Sequence, residues 1–282
     1  MHDITSENSI LSRKIRMIQI KILFVLLVPF VSFVQPSISV GESLTINFKN
    51  LKSIPPDNLI IIDTRSKFKY LLGHIPKAIH LGKWQDFTQN VKGVRGLLIK
   101  NPIFIVNKFN SYGIHPKKHI VIYGDPDDPW RTDGRFFWMF ERFGFNKVTI
   151  YEGGLKNWKN SGEKLEFGQG SALAKPLLTV KDIRLNDEVS AEQQWILERL
   201  DSKTLAIIDN RTRDEYLGAM PYGSPRGGHI PNAVHIYWPD FFLPSGHMKS
   251  KTELLNILTK FNITYEKEVV VYCTGGVRSA MA

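Results

Sequence analysis

The chain has 282 residues, 43% of them hydrophobic and 11% aromatic, enough to bury one large core or two ordinary ones, so disorder is excluded as its resting state. Its 37 Lys and Arg against 27 Asp and Glu give a formal charge of +10, but no Lys/Arg-dense block or zinc-finger spacing accompanies that excess; no nucleic-acid partner is expected, and small anions suit the balance. A single cysteine, Cys273, excludes an intramolecular disulfide, a CxxC redox pair and a cysteine-rich metal site; no cofactor and no metal are expected.

In chain order the first element reads as an address. Arg13, Lys14, Arg16 and Lys21 precede the uncharged apolar run ILFVLLVPFVSFV, and Ser37-Ile38-Ser39 supplies a small-x-small cleavage pattern. Residues 1–39 are therefore expected to be a secretory signal peptide with the mature start near Val40, and the protein to be exported, in a bacterial periplasm. Membrane association follows only if that segment stays uncleaved.

Past it the sequence repeats itself. IIDTRSKFKYLLGHIPKAIHL, from Ile61, returns as IIDNRTRDEYLG, an insertion AMPYGSPRG, and GHIPNAVHIYW, from Ile207. Each copy starts with a β-branched run ending at Asp-x-Arg, then carries a charged helix-permissive stretch and a Gly-His-Ile-Pro turn, predicting strand, short helix, turn, short strand. HIVIYGDPDD matches EVVVYCTGGV as a buried strand entering a turn. GRFFWMFERFGF has helical spacing, KVTIY is a strand, and LKNW begins a closing helix. Short strands alternating with helices predict an α/β fold, a mainly parallel sheet with helices on both faces. Asp63 and Asp209 are expected to hold their strand ends, and His74 and His229 to be structural because they occur in both copies.

The repeats divide the chain into a first domain (44–160), a linker (161–178) rich in Gly, Ser and Lys, and a second domain (179–282). The second copy has no counterpart of residues 136–158, so it reads as incomplete, and a truncated gene product or an incomplete sequence is expected.

Cys273 stands at the C-terminal end of a valine strand, where α/β folds place ligands. Inward-pointing N–H groups of Thr274, Gly275, Gly276 and Val277 are expected to form an anion nest that lowers the thiol pKa, with Arg278 closing it over an anion. The plain alternative is a small hydrophobe ending a strand.

The Asp-x-Arg strand end, the G-H-I-P-x-A-x-H segment and the C-T-G-G-V-R loop together resemble the tandem-domain rhodaneses, the thiosulfate and 3-mercaptopyruvate sulfurtransferases, across about residues 44–282. The resemblance implies two rhodanese-like domains. The first would be catalytically silent, with Gly124 or Asp125 in the cysteine's place and Trp130 and Arg131 near the cleft wall. It also implies a persulfide on Cys273, formed from a small anionic sulfur donor (thiosulfate favoured slightly) and passed to a thiophile such as cyanide or a thiol. Arg211 would grip the donor and Arg278 assist. The nearest rival is a phosphatase of related fold, disfavoured because the loop is C-x4-R where those enzymes use C-x5-R. A non-catalytic sulfur-carrying or binding module is the other.

Overall fold

The computed structural model describes residues 43–91, 94–170 and 178–282, and the expected signal peptide lies outside them. The first repeat runs β1 (Thr45–Ile46), α1 (Phe48–Ser53), β2 (Leu59–Asp63), α2 (Lys67–Leu71), β3 (Ile79–His80), the hairpin β4 (Thr88–Val91) and β5 (Val94–Leu98), α3 (Pro102–Tyr112), β6 (His119–Tyr123), α4 (Thr132–Arg142), β7 (Val148–Tyr151) and α5 (Gly154–Asn160). The second runs α6 (Gln193–Leu197), β8 (Leu205–Asp209), α7 (Arg213–Leu217), β9 (Val234–His235), α8 (Lys251–Thr259) and β10 (Glu268–Tyr272).

Strand order is β1-β7-β6-β2-β3 in the first sheet and β10-β8-β9 in the second, with all these pairings parallel. A parallel sheet needs cover on both faces, and the isoleucine run of β2 supplies apolar side chains to each. Ile60 and Ile62 join Ile120, Phe136 and Phe140 on one face, while Ile61 joins Val121, Leu155 and Trp158 on the other. The second repeat has a smaller core around Ala206, Ile208, Ile236, Phe241 and Ile263. Trp238 and Met281, both from the second repeat, are buried in the first repeat's core, and residues 43–282 form one compact unit.

The two strand ends share one buried framework. In the first, Asp63 accepts from the Tyr123 hydroxyl at 2.6 Å and from Arg65 Nη2 at 2.6 Å, and Arg65 also donates to the Gly73 carbonyl at 2.7 Å. In the second, Asp209 accepts from Tyr272 at 2.7 Å and from Arg211 Nη2 at 2.6 Å, and Arg211 donates to the Gly228 carbonyl at 2.7 Å. Both aspartates are fully buried, and burial together with the neighbouring carboxylate pushes both tyrosine hydroxyls above their ordinary pKa. The histidines are structural in both copies: His74 stacks on Tyr70 and His229 on Tyr216, each ring with Nδ1 at 2.9 Å from its tyrosine's carbonyl oxygen. The registers Asp63↔Tyr123 and Asp209↔Tyr272 are the same, so the residue one step on, Gly124, stands in Cys273's place.

The linker packs against the first repeat where it is described: His74 and Glu166 exchange backbone hydrogen bonds of 2.9 Å in both directions. The next dozen residues do likewise. Leu178 is in the first core, Arg142 forms an ion pair with Asp187, and Trp138 Nε1 donates to the Val189 carbonyl at 2.6 Å. The second repeat's own elements begin at α6, so residues 179–189 pack with the first repeat, whose aromatic helix α4 offers them a surface.

Replacing Asp209 by alanine strands a buried guanidinium and a tyrosine hydroxyl, and should cost about 3–5 kcal/mol. Urea denaturation of D209A against wild type measures it, and D63A should show a comparable loss; unchanged midpoints would mean that these frameworks do not stabilise the fold.

Candidate active site

Cys273 is the first residue after β10, and the loop that follows folds back on its sulfur. Gly276 N–H donates to Sγ at 3.1 Å, and the Ser279 hydroxyl lies 3.6 Å from it. Gly276 has φ of 72°, a left-handed conformation that glycine adopts without strain. Burial by itself would raise the thiol's pKa, but the Ser279 N–H and hydroxyl, the positive charge of Arg278 and the Gly275 N–H outweigh it and leave Cys273 below the ordinary thiol value. The side chain is half-buried, so a reagent can reach it.

The thiol opens into a cleft of about 980 Å³ between the repeats. Thr274, Gly275, Val277 and Arg278 line it beside Cys273; Lys67, Lys83 and Trp84 face them from the first repeat, and no carboxylate is among the described lining residues. The cleft is therefore cationic and suits an anion.

Three residues predicted to bind substrate are engaged elsewhere. Arg211 is buried and turned into its own repeat, where Asp209 takes Nε and Nη2 and Gly228 accepts a further bond; it does not line the cleft. The Asp-x-Arg spacing read as a substrate grip is a self-chelating strand end. Arg278 lines the cleft, but Glu215 takes both terminal nitrogens, Nη1 at 2.6 Å and Nη2 at 2.8 Å. It fastens the loop to α7 and is not a free clamp. The Thr274 hydroxyl is likewise committed, donating to Glu215 at 2.8 Å.

The rings of Trp130 and Tyr222, one from each repeat, lie 5.4 and 5.5 Å from the Arg278 guanidinium and 5.2 Å from each other. Trp130 thus walls the cleft as expected, whereas Arg131 is buried on Asp133 at 2.8 Å. In the first repeat's loop the charge is reversed: Lys69 pairs with Asp125 at 2.6 Å.

Sequence reasoning missed Glu215, Lys67, Lys83 and Arg135. Glu215 had a local signal, the Thr212-x-x-Glu215 capping box at the start of α7. The lysines carried none, and Arg135 sits inside the aromatic run read as core.

A half-buried thiol of lowered pKa, ending a parallel strand inside a loop whose amides face it, has the properties a nucleophile needs, in an α/β fold made of two repeats. The comparisons agree with that class. The family model of the rhodanese-like domain matches residues 48–161 and 192–282. The thiosulfate sulfurtransferase of Azotobacter vinelandii is 30% identical over 79% of this chain and 79% of its own, and the mouse 3-mercaptopyruvate sulfurtransferase is 28% identical over 76% and 70%. The crystal structure of SseA from Escherichia coli, a 3-mercaptopyruvate sulfotransferase, superposes with a TM-score of 0.72 at 25% identity, covering 85% of this chain and 91% of that one. The chain belongs to the rhodanese family and is an enzyme of the rhodanese sulfurtransferase type.

Burial raises the pKa of Glu215, but bonds from Arg278, Thr274 and the Thr212 N–H reverse the effect and hold it at about 2, against 4.5 ordinarily. A depressed carboxylate contributes stability that is fully present above its unfolded value and lost as pH falls through its folded one. The wild type should therefore lose stability between about pH 4.5 and 2 in a component absent from Glu215→Gln. Urea midpoints at several pH values measure this, and parallel curves would contradict it.

Proposed function

We propose that the protein moves a sulfane sulfur from a small anionic donor to a thiophilic acceptor through a persulfide on Cys273. The observation that carries this reading is the Gly276 N–H held 3.1 Å from Sγ at the mouth of a cationic cleft. An amide aimed at sulfur stabilises a thiolate before reaction and a terminal persulfide anion after it.

With thiosulfate, the Cys273 thiolate attacks the outer sulfur, the sulfur–sulfur bond of the donor breaks, and sulfite leaves with the electron pair. Cys273 then carries the extra sulfur as an anionic persulfide. A thiophile attacks that terminal sulfur, the persulfide bond breaks toward the protein, and the Cys273 thiolate returns; with cyanide the product is thiocyanate. With 3-mercaptopyruvate a carbon–sulfur bond breaks instead, and the leaving pyruvate carbanion takes up a proton. Thiosulfate is favoured, because with Arg211 turned away the donor's charge falls to Lys67, Lys83 and the loop amides, a diffuse set that suits a compact dianion. We further propose that the protein is exported after cleavage near Val40, from the basic and apolar pattern before it.

Exposure to thiosulfate should add one sulfur atom to the intact protein, seen by mass spectrometry, and cyanide should remove it as thiocyanate. Cys273→Ser should lose uptake and turnover by at least about 10³-fold. Release of phosphate from an aryl phosphate without thiocyanate formation would replace this reading with the phosphatase one. For export, N-terminal sequencing of the protein from a bacterial host should find a start near Val40; a retained leader in the soluble fraction would overturn it.

A further inference from the structure

The loop that holds Cys273 is fastened from the other repeat. Arg135, in α4, donates from Nη1 to the Gly276 carbonyl at 3.1 Å and from Nη2 to the Gly96 carbonyl of the β4–β5 hairpin at 2.6 Å. Its guanidinium lies 4.5 Å from the ring of Trp138 and 5.3 Å from that of Trp84. It is 5% exposed, its Nε has no hydrogen-bond partner among the described residues, and none of their carboxylates forms an ion pair with it. A methyl group on Gly276 would come 2.7 Å from Nη1, so loop and guanidinium are in close contact with no side chain between them.

A buried cation with aromatic faces in place of a carboxylate is costly, and burial does lower the pKa of this arginine to about 10 while the charge of Cys273 draws it back up. The cost has a use at the thiol. Of the charges around it, Arg278 is matched by Glu215 within the same cluster, Arg65 is matched by Asp63, and Lys67 and Lys83 stand exposed at the cleft rim. His80, the titratable lining residue of β3, is held toward its neutral form by burial, against the pull of its bond to the Arg65 carbonyl. Ser279 supplies hydrogen bonds without charge. Arg135 is the buried guanidinium of this set that no carboxylate offsets.

We propose that Arg135, a residue of the repeat without a cysteine, is a positioning residue for the reaction: by holding the Gly276 carbonyl it fixes the residue on whose other side the N–H lies on Cys273 Sγ, and its unmatched charge favours the thiolate. The proposal rests on Cys273 being the reacting thiol, and it gives the silent repeat a part in the chemistry beyond walling the cleft. By holding Gly96 with its second nitrogen, the same side chain ties the hairpin at the cleft edge to the thiol loop.

The test is the pH dependence of Cys273 alkylation by iodoacetamide in the full chain, which needs no sulfur donor. In Arg135→Met the apparent thiol pKa should rise by about one unit, a tenfold loss of thiolate at pH values below it. Thiosulfate turnover should show kcat lower by about tenfold with KM within about twofold, the pattern of a group that acts on the thiol and not on donor binding. Arg135→Lys keeps the charge but cannot span both carbonyls, and should fall between wild type and R135M. Circular dichroism and Tm report folding. If R135M does not fold, R135K decides: a displaced titration supports the clamp and a wild-type titration overturns it. A folded R135M with an unchanged thiol titration also overturns it. If the titration moves and neither protein transfers sulfur, the role of Arg135 stands and the sulfurtransferase reading falls.

Discussion

The buried carboxylate at the end of β8 sets the geometry on which the rest relies. Asp209 binds the hydroxyl of Tyr272 and the guanidinium of Arg211 at once, so it fixes the last residue of β10 against the last residue of β8. The residue after Tyr272 then has one place to be, at the carboxyl edge of the sheet, and that residue is the cysteine. A charge this deeply buried is tolerable because all of its partners are short and fixed; as an isolated carboxylate it would unfold the site or take up a proton.

From that point the thiol's environment is assembled by groups distant in sequence. Glu215 on α7 holds Arg278 and Thr274, which sets the far side of the loop, and Gly276 can then turn its amide onto sulfur. Arg278 keeps a charge near the sulfur while Glu215 holds both of its terminal nitrogens. In the proposed reaction, binding of the anionic donor is left to exposed lysines and to backbone amides, groups that hold a small ion without committing it to one orientation. That division suits an enzyme whose donor must arrive and leave with every turnover.

The repeat, the strand-and-helix order and the placement of the cysteine loop are legible in the sequence because they are local: β-branched runs ending in Asp-x-Arg, a helical aromatic period, glycines after a strand. The structural reading of Asp63, Asp209, His74 and His229 follows from their presence in both copies. What the sequence withholds are pairings. Arg211 looks available until its own strand's aspartate is seen to take it, and Arg278 looks like a clamp until α7 brings in Glu215. Arg135 is hidden differently, as a cation inside a run of phenylalanine, tryptophan and methionine whose period describes a core helix. The packing of residues 179–189 on the first repeat depends on the surface of α4, which no composition shift marks.

The reversed ion pair of the first repeat has a consequence for what its own loop could hold. Asp125 lies one residue past Gly124 and is held there by Lys69, the counterpart of Glu215 on the equivalent helix. Its negative charge occupies the ground beside which a thiolate would have to form. The loop offers no sulfur at Gly124, and a thiolate placed there would stand beside an aspartate where Cys273 stands beside the neutral Thr274. The difference between the two loops is thus written into the helix opposite as well as into the loop, since Lys69 and Glu215 each match the charge that their own loop presents.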